Sequence, residues 1–458
     1  MKCRKPNNRR KPMLTARMSR RQFLHASGAG AMSLALAACV QAPAGQQAGG
    51  GAAQAPVDLK LWKAPHKPAG EEVKIAESVL AGFHERHPDI RVEYSEVPWA
   101  QYGEALTAGY ASDDPPDVAY QTEGISRYAL PGQLEALDGW FDLEPELKDK
   151  FQPQAFGPAT IEGKLYGVPW VLAGNVQLWN KTLFEQAGLD PNKPADTWEE
   201  IIEYGKKLTN PDADQFGFMI GPRTALEFHG WNTVFWPLNG GGKWTNEDFT
   251  EIYLDDEKGI QAAEFYYDLF NTHQITPPPD LGQVTGQLMS MFQAGKGGFA
   301  FEVNTAIAVI RDANPDFDLG VGPKPAGLAE DPKWARAGYG AAGYAAMAAN
   351  SRHQEQAWEL MKYLVEPESL KGWIKLLGWQ PVLKELSFAD GDPIIEAVEA
   401  NLGNAVMAND YIPDKPYRGD VMGEFLNQYE AIALGQKSGK DAMIEGAQRM
   451  RELIAARQ

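Results

Sequence analysis

Cysteine is almost missing from this chain of 458 residues: there are two, Cys3 and Cys39, both near the start. The body therefore has neither a disulfide framework nor a thiolate metal site open to it, and it must stand on packing. Beyond the opening segment no hydrophobic run is long enough to cross a bilayer. Basic charge is also short, with 43 Lys and Arg against 61 Asp and Glu. Residues 1–38 hold nine of those bases and none of the acids, so the chain from Cys39 onward carries 34 against 61, a formal charge of −27. Such a surface repels nucleic acid and anionic membranes and disfavours an anionic ligand, although a local basic pocket could override it. No G-x-S-x-G elbow is present, and no motif singles out an acid pair for glycoside hydrolysis.

What is present begins with SRRQFLHASGAGAMSLALAAC, residues 19–39. Arg20 and Arg21 precede an apolar run too short and too rich in alanine to be a stable membrane span, and the run stops at Cys39. The arginine pair with Phe23 and Leu24 resembles a twin-arginine export signal, and Leu36 to Cys39 resembles a bacterial lipobox. Residues 1–38 are thus expected to be a signal segment and Cys39 an acylated, membrane-anchoring residue. Met18 offers a second translation start. Residues 40–56, VQAPAGQQAGGGAAQAP, carry no charge and no periodicity, and read with Cys39 as a flexible tether (39–56) reaching roughly 20 to 25 Å.

The following body, about 400 residues, is enough for two or three domains. VDLKLW (57–62) reads as a strand, and 71–87 as a helix with Val73, Ala76, Val79, Leu80 and Phe83 on one face, stopped by Pro88. Residues 90–97 alternate as a second strand, 99–112 read as a helix, and PDVAYQ (116–121) as a third strand. Strand alternating with helix predicts an α/β fold with a parallel sheet covered on both faces. Ligand loops are then expected after Trp62, Val97 and Tyr120, at the carboxyl ends of the strands. Further helices are predicted at 196–208, 259–273, 353–365 and 440–457, while Pro277–Pro279 and GPKPAG (322–327) read as surface loops.

Five fragments, FHERHPDIRVEY, YASDDPPDVAY, GKLYGVPWVLAGNVQLWNKTLFEQAGLD with TWEE after it, FQAGKGGFAFEVN and AWELMKYLVEPESLKGWIKLLGWQPV, occur in that order. In sequence and in order they resemble the sugar-binding branch of the extracellular solute-binding proteins of ABC importers, over about 57–455. The resemblance implies a two-lobed fold of the periplasmic-binding-protein kind, with ligand held in an interlobe cleft and three chain crossings near 169–174, 298–303 and 338–344. It divides the body into an N-terminal lobe (57–170 plus 303–338) and a C-terminal lobe (171–302 plus 339–458). It implies a neutral carbohydrate as ligand, permease subunits as partners, an extracytoplasmic monomer, no cofactor and no catalysis. The WPL and glycine pattern within 222–243 is similar to maltose-type binders, but its surroundings match no single sugar specialist.

Several motifs carry weaker readings. GYGAAG (338–343) satisfies G-x-G-x-x-G, but the strand, turn and helix order of a dinucleotide site is absent, so the glycines are expected to allow close backbone approach at a crossing. GGGK (240–243) lacks the spacing of a phosphate loop. In HERH the histidines His84 and His87 are three apart, not the four that a zinc peptidase helix needs, and no metal site is expected.

The aromatic complement points to carbohydrate, since a flat ring packs on the apolar face of a pyranose while polar neighbours meet its hydroxyls. Trp62, Trp99, Trp170, Trp231, Trp236 and Trp379 fall at strand ends, loops or implied crossings, and Trp198, Trp358 and Trp373 in helical contexts that suit core packing. Polar candidates at the same places are Lys63, His66, Gln121, Glu123, Asn175, Glu302, Asn304, Tyr339 and Tyr344, with Tyr417 and Arg418 in a late loop. Trp236 with Glu302 is the pair expected to grip one sugar. Each position also admits ordinary packing or a hinge hydrogen bond. Competing readings are an exported carbohydrate-active enzyme, a surface adhesin, and a receptor for a non-sugar solute such as a polyamine.

Overall fold

Leu59, Leu61 and Lys63 alternate with more exposed neighbours along the first strand, β1 (Val57–Lys63), which places them on one buried face. The computed structural model describes residues 56–66, 70–122, 124–221, 235–279, 286–401, 405–407, 412–413, 415 and 417–457. Cys39, the signal segment, nearly all of the tether, Glu123 and Trp231 lie outside the described residues.

The helix Glu71–Arg86 buries Ala76, Val79, Leu80 and Phe83, the stripe its periodicity predicts, with Glu72 on the same stripe in place of Val73. His87 stacks on Phe83, ring centroids 4.6 Å apart. His84 Nε2 accepts a hydrogen bond from Val92 N at 3.1 Å. Both histidines thus close the turn into β2 (Ile90–Glu96). The helix Trp99–Tyr110 leads to β3 (Val118–Gln121), every residue of which is buried. β1 lies parallel to both β2 and β3, Val57 opposite Ile90 and Leu61 opposite Val118.

A short hairpin, β4 (Thr160–Ile161) and β5 (Lys164–Leu165), precedes β6 (Val168–Asn180), thirteen residues all buried. The remaining strands are β7 (Phe216–Met219), β8 (Gly297–Val303), β9 (Leu319–Gly322), β10 (Gly338–Met347) and β11 (Ala405–Met407). The sheet order is β2-β1-β3-β10-β6-β8-β7, with β9 also on β6 and β11 on β10. β6 changes partners midway: Val168–Gly174 pair with β10, and Asn175–Asn180 with β8 and β9. This switch makes β6 the joint between two halves of one sheet.

The expected division of the body changes here. β9 bonds to Gln177–Asn180, and Ile307, Ile310 and Leu319 share an apolar cluster with Val176 and Leu178, so 303–338 belongs with the second half. Conversely β10 pairs with β3, and Leu383 bridges to Phe151, which returns 338–383 to the first half. β8 reaches the joint, where Asn304 N donates to Gly174 O, and then turns back into the helix Ala306–Ala313. The three passages therefore run along β6, along β10 and between Leu383 and the helix Pro393–Asn401, whose Val398 joins the second-half cluster. Strand pairing across long loops decided this, and local pattern carries no information about it.

GYGAAG lies inside β10. A Cβ on Gly343 would sit 2.3 Å from Tyr120 Oη, and one on Gly338 2.8 Å from Asn175 Cβ, so close approach is what excludes larger residues. Among the described residues no helix is long and apolar enough to cross a membrane.

Candidate functional site

β1 and β3 are parallel neighbours, so their carboxyl ends deliver Lys63 and Tyr120–Gln121 to one edge of the sheet. Four rings gather there. His66 stands edge-on to Trp379, Trp99 and Tyr120, with centroids 4.5, 5.1 and 5.6 Å away. Tyr120 lies parallel to Trp379, at 6.0 Å and 5°. Trp99 is 45% exposed, whereas Trp379 is 4% exposed. Trp379 also lines a cavity of about 270 Å³ with Asn304 and Ile307 of the second half and Ile374 and Gln380 of the first. Trp379 is the ring of the four that borders this space.

Lys63 is fully buried behind the rings, its ammonium 5.2 Å from the Tyr120 and Trp379 centroids. It is ion-paired with Glu72, also fully buried. Burial pulls the Lys63 pKa down, and the Glu72 carboxylate opposes that pull. Burial first, and the Lys63 charge second, hold His66 well below the ordinary imidazole range. Gln121 Nε2 donates to Tyr110 Oη at 2.8 Å, which fixes the amide at the end of β3.

A second group forms at the joint. Tyr339 N donates to Asn175 Oδ1 at 2.6 Å, and the buried Lys324 donates to Ala337 O at 3.1 Å beside them. The Lys324 ammonium lies 5.2 Å from the Phe301 ring, and burial drops its pKa to about 7. The stretch 322–327 is therefore no simple surface loop. Asn304 Oδ1 accepts from Gly174 N at 2.8 Å while its Nδ2 donates to Gly378 O, so this side chain fastens both halves at the joint.

Other expected site residues lie elsewhere. Trp236, 3% exposed, packs among Trp198, Phe265, Tyr266 and Phe301 in the second-half core. Glu302 stands opposite Val176 while Phe301 stands opposite Gln177, so Glu302 projects from the face of β8 away from Trp236. The expected joint grip of Trp236 and Glu302 on one sugar does not fit that alternation. Trp170 is fully buried behind Tyr120 and Trp373, at 5.9 and 5.2 Å. Tyr344 is also buried, its hydroxyl donating to Ala155 O. Trp62 packs on Gly109, and Tyr417 Oη donates to Phe249 O. Arg418 is buried at the start of the helix Arg418–Ala433.

The sequence reading missed Glu72, Tyr120 as a ring, and Lys324. Tyr120 carried a usable signal, the last aromatic of a buried strand before a predicted ligand loop. Among the described residues no group of three or more His, Cys, Asp or Glu could hold a metal ion.

Known proteins resemble the chain over most of its length. The diacetylchitobiose-binding protein of Streptomyces coelicolor is 26% identical over 365 residues, 75% of this chain and 81% of that one. The sn-glycerol-3-phosphate-binding periplasmic protein of Shigella dysenteriae is 24% identical over 352 residues, 73% and 76% of the two chains. The crystal structure of the cyclic α-maltosyl-1,6-maltose-binding protein of Arthrobacter globiformis superposes with a TM-score of 0.73 at 22% identity, covering 87% of this chain and 99% of that one. That likeness establishes the two-lobed fold. The profile of the bacterial extracellular solute-binding proteins matches residues 67–371, more than half of the chain, and the protein is a member of that family.

Proposed function

We propose that the chain is a lipid-anchored receptor that captures a neutral carbohydrate between its two halves and delivers it, chemically unchanged, to an importer in the membrane. Family membership gives the binding role and the extracytoplasmic location. The observation that supports carbohydrate is the aromatic edge: Trp99, Tyr120, Trp379 and His66 meet at the carboxyl ends of β1 and β3, and Trp379 also lines the cavity bounded by both halves. Flat apolar rings beside hydrogen-bonding groups suit a pyranose, which has apolar faces and a hydroxyl rim. Relatives named for diacetylchitobiose and for a maltosyl-maltose ring favour an oligosaccharide, and the relative named for glycerol phosphate supplies the contrast. Cys39 would carry the anchor.

A thermal-shift panel tests the ligand class. Maltotetraose, diacetylchitobiose, an arabinooligosaccharide and sn-glycerol-3-phosphate are each added to the soluble body. A ligand at a hundred times its dissociation constant stabilises by about 2.7 kcal/mol. Stabilisation by a sugar, with the sugar recovered intact after long incubation, is the expected result. Stabilisation by the phosphate ester alone, or hydrolysis of the sugar, overturns the proposal.

A further inference from the structure

We propose that His66 meets the ligand as a neutral imidazole donating from Nε2, and that the buried Lys63–Glu72 pair fixes it in that form. The inference rests on the reading of the aromatic edge as the ligand site. The Lys63 ammonium has three N–H groups and no lone pair. Three acceptors surround it: Ala64 O at 3.1 Å, His66 Nδ1 at 3.1 Å and Glu72 Oε2. Facing an ammonium, Nδ1 can only accept, so it carries no proton. The single proton of a neutral ring is then on Nε2.

Glu72 holds both ends of the arrangement. One carboxylate oxygen takes the lysine and the other takes the backbone N–H of His66. Oε1 stands 3.9 Å from Nδ1, beyond hydrogen-bond reach, so the carboxylate does not compete for the ring. The side chains of Lys63 and Glu72 are wholly buried and that of His66 is a quarter exposed. The ion pair is therefore shielded from solvent, and the ring it orients is the part that reaches solvent. The depressed His66 pKa agrees with a neutral ring at neutral pH.

Among the described residues no acceptor takes the Nε2 proton; the remaining ring contacts there are with Trp99, Tyr120 and Trp379. This adds an N–H donor to a cluster whose other side-chain donors are the indoles of Trp99 and Trp379 and the phenol of Tyr120. The added donor suits a ring or hydroxyl oxygen of a sugar lying on the exposed Trp99. An ammonium ligand would set donor against donor, with the Lys63 charge behind it, so the site selects against polyamines.

The test uses protein labelled with ¹⁵N in its imidazoles, His66 being assigned by its loss in His66→Gln. Long-range proton–nitrogen correlation at neutral pH is expected to show an unprotonated Nδ1 and a protonated Nε2. A protonated Nδ1, or an imidazolium pattern, overturns the proposal. Removing Lys63 alone would strand a buried carboxylate, so the pair is replaced together, Lys63→Met with Glu72→Leu. That variant is expected to show tautomers in exchange, and retention of the wild-type pattern overturns the role of the pair. If it does not fold, the wild-type spectrum still decides the tautomer. With the same sugars as probes, His66→Phe is expected to weaken binding roughly five- to tenfold, and His66→Gln, which keeps an N–H, by less than about threefold. Equal losses overturn the donor contact. A panel in which no sugar binds overturns the carbohydrate reading and the contact with it, while the tautomer assignment stands on the spectrum alone.

Discussion

Two lysines are buried among the described residues, and what differs between them is a carboxylate. Lys63 has Glu72, whereas Lys324 has one carbonyl and the faces of Phe235 and Phe301. Desolvation lowers the Lys324 pKa from 10.5 to about 7. The unfolded chain keeps that proton up to about 10.5, so between about 7 and 10.5 the folded state binds fewer protons and stability rises with pH across the window. Below about 7 the full cost of a buried charge is present. Lys324→Met is therefore expected to stabilise the protein by a few kcal/mol at pH 6 and by much less at pH 10, read from urea midpoints. An equal gain at both pH values would contradict this assignment. The tryptophans separate in the same way. Trp99→Ala is expected to weaken sugar binding by about 1 to 3 kcal/mol through loss of an exposed stacking face. Trp236→Ala is expected to destabilise by about 3 to 5 kcal/mol and leave the affinity of the folded fraction unchanged. Calorimetry beside chemical denaturation distinguishes the two, and an affinity loss at Trp236 would return that residue to the site.

At the scale of elements, the sequence was most readable where burial is one-sided. β1, β2 and the helix Glu71–Arg86 follow simple periodicities, and their predicted bounds lie within a residue or two of the observed ones. β6 and β10 announced themselves as crossings through the family likeness. Glu72 was not readable, because an acid in a first turn looks like a solvated partner of the helix dipole until Lys63 is placed across from it. Lys324 was hidden by prolines and glycines that suggest an exposed loop. The placement of β9 was out of reach, since Leu319–Gly322 could pair with either half and the choice is made by β6. β10 supplies a prediction of its own. Gly343→Ala drives a methyl into the ring of Tyr120, which lies parallel to Trp379. Overpacking of about 1 to 3 kcal/mol is expected together with weaker sugar binding, because displacing Tyr120 disturbs the aromatic edge. Wild-type affinity in a destabilised Gly343→Ala protein would show that Tyr120 can move without consequence for the ligand.

For the whole molecule, a swing of one half toward the other is expected to turn at Gly174–Asn175, where β6 changes partners and Asn304 fastens the two halves. A ligand touching both halves favours the closed arrangement, because only there are all its contacts made together. Saturating sugar is expected to reduce the radius of gyration in solution scattering, and an unchanged profile would point to a rigid, preformed pocket. The order in which the chain leaves the ribosome carries a further consequence. β3 has β1 on one side and β10 on the other, and β10 begins only at Gly338. While everything from Thr122 to Ala337 is being synthesised, Val118–Gln121 has a bare, apolar edge, the kind of edge that recruits other strands. A chain stopped before β10 should therefore be handled by the cell as an aggregation hazard, and the finished protein should owe its solubility to a strand made late.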